Sequence, residues 1–90
     1  MVTLALLAKD KEMTQFFAEI YTKPDCPYCV MAKEFMTGME IQYIESVVGE
    51  DVLWEDVVAS VPGVTTVPQI WINGHHVGGY DGLIKWAENN

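Results

Sequence analysis

The chain has 90 residues, half of them apolar and a fifth charged, with five basic residues against 13 acidic ones and a formal net charge of −8. This length supports one small core and one domain, and two cysteines exclude a disulfide-dense scaffold. Scarce basic residues argue against a nucleic-acid partner, and no apolar run approaches the roughly 18 residues of a membrane span, so a small, acidic, cytoplasmic domain is expected.

Residues 1–15 carry Leu4, Leu7 and Ala8 at helical spacing. The charged run Lys9–Glu12 follows without a clear cap, and the stretch is set aside as an amino-terminal extension to a domain spanning 16–90. Phe16–Thr22 is aromatic and β-branched and reads as a buried strand. Lys23-Pro24-Asp25 breaks it, and Pro27 stands where helices favour proline, with Cys26 as N-cap. Ala32, Phe35, Met36 and Met39 form one helix face, and Gly38 closes the helix. Met39, Ile41 and Tyr43 alternate with polar residues as a second strand. Gly49–Asp51 opens a second helix with Val52, Leu53, Val57 and Val58 inward, and Pro62-Gly63 stops it. Val67–Ile72 is a third strand, Asn73-Gly74 a hairpin turn, and His75–Gly78 the returning antiparallel strand. Gly78-Gly79 leads into a last helix, Tyr80–Asn89. Trp54, Trp71 and Trp86 are assigned to packing. The order β-α-β-α-β-β-α predicts an α/β fold with a four-stranded mixed sheet, its first two strands parallel and helices on both faces.

Cys26-Pro27-Tyr28-Cys29 is the chemical centre. A thiol at a helix N-terminus faces unpaired N–H groups and the positive end of the helix dipole, and both favour thiolate. Cys29, one turn on, lies on the same helix side within reach of a disulfide. Lys23 adds a nearby positive charge and Asp25 opposes it. A thiol of pKa about 8.5 is roughly 3% thiolate at pH 7. Lowering the pKa by about 3 units raises that fraction ~30-fold but costs ~20-fold in nucleophilicity at a Brønsted slope near 0.45. The larger gain is that Cys26 becomes a sulfur easily expelled from a mixed disulfide, which suits a catalyst of thiol–disulfide exchange. Zinc is the competing use of C-x-x-C. The other nitrogen ligands, His75 and His76, are adjacent and not at H-x₃₋₅-H spacing, so no metal is expected and the pair is read as hairpin surface.

Three segments resemble dithiol glutaredoxins in order and spacing: Ile20-Tyr21-Thr22-Lys23-Pro24-Asp25-Cys26-Pro27-Tyr28-Cys29, then Thr66-Val67-Pro68-Gln69-Ile70, then Gly78-Gly79-Tyr80-Asp81. The resemblance spans residues 16–90 and implies a thioredoxin fold. It implies glutathione as co-substrate with no tightly bound cofactor. It also implies a monomer acting on disulfide-containing or glutathionylated proteins, ribonucleotide reductase being a family-level candidate. Cys26 would be the nucleophile, Cys29 the resolving thiol and Pro68 a cis-proline opposite them. Glutathione would be held by Lys23, Tyr28, Thr66, Val67, Pro68, Gly79, Tyr80 and Asp81. In that scheme the Val67 backbone pairs with the cysteinyl unit by strand addition. The N–H groups of Tyr80 and Asp81 meet the γ-glutamyl carboxylate, the Asp81 carboxylate meets the ammonium or caps the helix, and Tyr28 and Tyr80 wall the groove. Glutaredoxins often carry a basic residue near the position of Val64, and none stands there, leaving Lys23 as the only lysine in the motif regions. Two other functions stay open: a thioredoxin-like reductant recharged by a flavoprotein reductase, and a [2Fe–2S] carrier dimer, against which Pro27 tells within the family.

Overall fold

Alternation builds the central strand, β1 (Phe17–Thr22): Ala18, Ile20 and Thr22 are buried, while Phe17 and Glu19 are exposed and Tyr21 is half-buried. The computed structural model describes residues 16–89, so the reading of 1–15 lies outside the described residues. The strand expected to be buried throughout thus buries one face, as its two-residue period dictates. Helix α1 (Pro27–Gly38) carries the chain to β2 (Gln42–Val47), which runs parallel to β1. A short helix α2 (Trp54–Ser60) precedes the antiparallel hairpin of β3 (Gln69–Ile72) and β4 (His75–Gly78), and α3 (Tyr80–Glu88) closes the described chain. The sheet order is β2-β1-β3-β4, with β1 antiparallel to β3, and the expected mixed sheet and element order are present.

The core lies between the sheet and helices α1 and α3. Ala18, Ile20, Ile70 and Ile72 from the sheet meet Ala32 and Met36 from α1 and Leu83 from α3. Phe16 meets Trp86 edge-on at 4.9 Å between ring centroids, tying the start of β1 to α3. The hairpin turn is made by Asn73 (φ 51°) and Gly74 (φ 84°), the left-handed pair that a two-residue turn requires.

Three local expectations are corrected. The second helix starts at Trp54, because 47–52 form a turn: the Val47 N–H donates to Asp51 Oδ2 at 2.9 Å and Gly49 takes φ 94°. Its inward face reduces to Val57; Leu53 caps the helix and is 61% exposed, and Val58 and Trp54 are also exposed. At the end of α1, Gly38 is the last helical residue, Met39 is an exposed cap and Glu40 takes the left-handed conformation, φ 60°. The third strand begins at Gln69, since Thr66–Pro68 form an irregular loop before it.

Candidate active site

The loop from β1 reverses through Pro24 and Asp25, the latter at φ 57°, a conformation aspartate tolerates better than most residues. Cys26 follows as the N-cap of α1 with Pro27 in its first turn, and the Cys29 N–H donates to Cys26 Sγ at 3.2 Å. Sulfur here does what a serine oxygen does at other helix starts, accepting one of the four N–H groups the helix leaves unpaired. Cys26 and Cys29 are joined as a disulfide with Cα atoms 5.2 Å apart. Both are buried, and with Val67 they form a small apolar cluster beside Tyr21 and Val48. When the bond is reduced, the Cys29 N–H and the helix dipole that meet Cys26 favour its thiolate over that of Cys29, which lies inside the first turn.

Opposite the sulfurs stands the loop before β3. Its Val67–Pro68 peptide is cis, and the Val67 carbonyl oxygen lies 3.9 Å from Cys26 Sγ. A groove of about 430 Å³ runs from this loop to the start of α3, lined by Tyr28, Thr66, Val67, Pro68, Gly79, Tyr80 and Asp81. That volume suits a small-molecule site. The Tyr28 and Tyr80 rings stand 6.1 Å apart across it, tilted by 39°. Asp81 lies in the first turn of α3, whose N-cap is Gly79 with no side-chain bond; the helix-cap alternative for Asp81 is therefore not what the structure contains. Lys23 is exposed and faces elsewhere. It lines a neighbouring groove of about 650 Å³ that also borders both cysteines, Lys33 and Glu45. In that groove Glu45 Oε2 accepts from buried Thr22 Oγ1 at 2.6 Å and from Lys33 Nζ at 2.9 Å. The Thr22 hydrogen bond, helped by Lys33 and opposed by burial, holds the Glu45 carboxyl below its ordinary pKa.

Gly82 and Gln69 contribute to this region although sequence assigned them no role, and His76 does so although it was read as hairpin surface. A Cβ at Gly82 would collide with the Val77 carbonyl group, so glycine lets α3 lie against β4 and bring its N-terminus to the groove. The hairpin histidines are exposed, but His76 is more than solvated surface: its ring bonds to Gln69 and lies against Trp71. The register Trp71↔His76 across a hairpin could have suggested the ring contact; nothing local in the sequence announced the hydrogen bond.

A thioredoxin-like sheet with a dithiol at the first turn of its first long helix defines a thiol–disulfide oxidoreductase. Residues 18–77 match the Glutaredoxin family. Glutaredoxin 3 of Escherichia coli is 38% identical over 65 residues, covering 72% of this chain and 78% of that protein. The solved structure of glutaredoxin 1 from Francisella tularensis superposes with a TM-score of 0.71 at 28% identity, covering 82% of this chain and 94% of that one. A hybrid peroxiredoxin of Haemophilus influenzae is 43% identical over 67 residues, which are 74% of this chain but 27% of the longer protein. The chain belongs to the glutaredoxin family.

Proposed function

We propose that the protein is a glutathione-dependent reductase of protein disulfides and protein–glutathione mixed disulfides. The carrying observation is that seven of the eight residues expected to contact glutathione line one groove beside the cysteine pair. Cys26 thiolate attacks the mixed disulfide at the glutathione sulfur, the protein thiolate leaves, and Cys26 holds the glutathionyl group. A second glutathione thiolate attacks that group's sulfur, releasing glutathione disulfide and restoring Cys26. With a protein disulfide, Cys26 forms a mixed disulfide with the protein and Cys29 displaces it, giving reduced protein and the Cys26–Cys29 bond. Two glutathiones then reopen that bond.

The ligand lies against Val67 and Pro68, its γ-glutamyl end meeting the first N–H groups of α3 and Asp81. Lys23, on the loop before Cys26, lines the neighbouring groove and acts on the glycyl carboxylate only as a screened cation at a distance. The protein acts as a monomer in the cytoplasm and needs no tightly bound cofactor. The match to a hybrid peroxiredoxin favours a peroxiredoxin as one oxidised partner. The test is reduction of a glutathionylated peptide driven by glutathione and glutathione reductase, run beside the same assay driven by thioredoxin reductase. Turnover in the first supports this reading. Turnover in the second alone makes the protein a thioredoxin-like reductant.

A further inference from the structure

Gln69 is buried at the start of β3, and its amide bridges two segments of chain. Gln69 Nε2 donates to the Thr66 carbonyl at 3.0 Å, and Gln69 Oε1 lies 2.8 Å from His76 Nε2 on β4. A carbonyl oxygen only accepts, so the Gln69 nitrogen must face Thr66 and its oxygen must face His76. The imidazole therefore carries a proton on Nε2 and donates it. Trp71 holds the ring in place at 4.8 Å between centroids and is itself braced edge-on by Tyr21 at 5.4 Å. The two hydrogen bonds run in the same direction and end on the oxygen of the Thr66–Val67 peptide. Hydrogen bonds aligned in this way polarise one another, and density drawn to a peptide oxygen strengthens the N–H of the same peptide as a donor. That N–H belongs to Val67, which lines the groove and whose N–H donates to no described residue.

We propose that His76, Gln69 and the Thr66 carbonyl form a chain that orients the Val67 N–H and strengthens it as a donor toward the backbone of a bound cysteine peptide, whether glutathione or a substrate protein. His76 and Gln69 are thus positioning residues for substrate, and this rests on the reading that the Val67 backbone pairs with it. The chain acts on binding more than on the exchange step, because neither side chain is part of the groove or of the cysteine pair.

The test compares the wild type with H76F, H76Q and Q69L. Phe keeps a ring against Trp71 and deletes the donor; Gln restores an N–H donor and deletes the ring. Two readouts are taken: KM and kcat for a glutathionylated peptide, and the Val67 amide proton shift of the free, ¹⁵N-labelled protein. Q69L removes both hydrogen bonds of the chain, and KM rises about 2- to 12-fold, the range for weakening or losing one neutral hydrogen bond, that of the Val67 N–H to substrate. H76F raises KM about 2-fold through lost polarisation alone. In both, kcat holds and the Val67 amide proton moves upfield. H76Q returns both KM and shift toward wild type. An unmoved Val67 shift in H76F and Q69L, or a defect in H76F that H76Q leaves unrepaired, overturns the proposal. A wild type that does not turn over the glutathionylated peptide defeats the functional reading instead, and the Val67 shift then still decides the chain.

Discussion

Replacing Gly82 with alanine sets two effects against each other. In a helix interior alanine is favoured over glycine by about 1 kcal/mol. At this site, however, the new methyl would collide with both the oxygen and the carbon of the Val77 carbonyl. These are backbone atoms of β4, so no side chain can swing aside, and overpacking of that kind costs about 1–3 kcal/mol or more. A clash with backbone lies at the upper end of that cost, leaving G82A less stable by up to about 2 kcal/mol on balance. For a domain of this size that corresponds to a fall in Tm of up to roughly 16 °C. Relief requires α3 to move off β4, which carries Gly79, Tyr80 and Asp81 away from Pro68 and, on the proposed function, should raise the KM for glutathione as well. G38A is the control, because a Cβ there meets nothing within 4 Å; it should gain about 0.4–1 kcal/mol and leave glutathione kinetics alone. Thermal unfolding followed by circular dichroism, with glutathione KM measured on the same samples, separates the two. A G82A protein as stable as G38A would refute the close-packing argument.

Asp81→Asn removes an exposed charge, so the loss should be that of a screened pair, about 0.2–1 kcal/mol or up to ~5-fold in KM for glutathione; unchanged kinetics would remove Asp81 from the binding site. Lys23→Gln should raise the same KM at low salt, with the difference from wild type shrinking toward physiological salt as charges are screened over about 8–10 Å; superimposable salt series would mean that Lys23 makes no contact. Glu45 is held below its ordinary pKa by Thr22 and Lys33, so its stabilising contribution is complete above the unfolded carboxyl value of about 4.3 and is lost as pH falls through the lower folded value. Urea midpoints should therefore drop more steeply for wild type than for Glu45→Gln as pH is lowered from about 5; parallel curves would show that the Thr22–Glu45 bond carries no such linkage.

Motif-bearing turns were the most legible part of this fold. Pro27 after Cys26, Asn73-Gly74 and Gly78-Gly79 each demand a particular backbone, and each forms the boundary it was expected to form. The dithiol site was readable for the same reason, since Cys26 caps a helix that Pro27 helps to start. Legibility failed where local pattern was overruled by contacts between segments. Leu53 and Val58 have inward-facing spacing, but the turn at 47–52 shortens the helix and leaves only Val57 against the core. Gly82 carries no local signal of its role, which is apparent only once β4 lies against α3. Gln69 and His76 sit seven residues apart on neighbouring strands, and no short-range signal specifies the bond between them. Lys23 belongs to the right loop, but its side chain lines the groove on the other flank.

The central claim is that Cys26 alone takes up glutathione, and the most direct measurement is to trap that adduct. Cys29→Ser removes the thiol that would expel it, so the variant is incubated with a glutathionylated peptide and analysed by mass spectrometry without reductant. The account predicts one glutathionyl group per chain, located on Cys26 by peptide mapping, and its release by added glutathione at the rate of steady-state turnover. The mirror variant Cys26→Ser should acquire no adduct on that timescale. A glutathionyl group forming readily on Cys29 in Cys26→Ser, with none on Cys26 in Cys29→Ser, would contradict it.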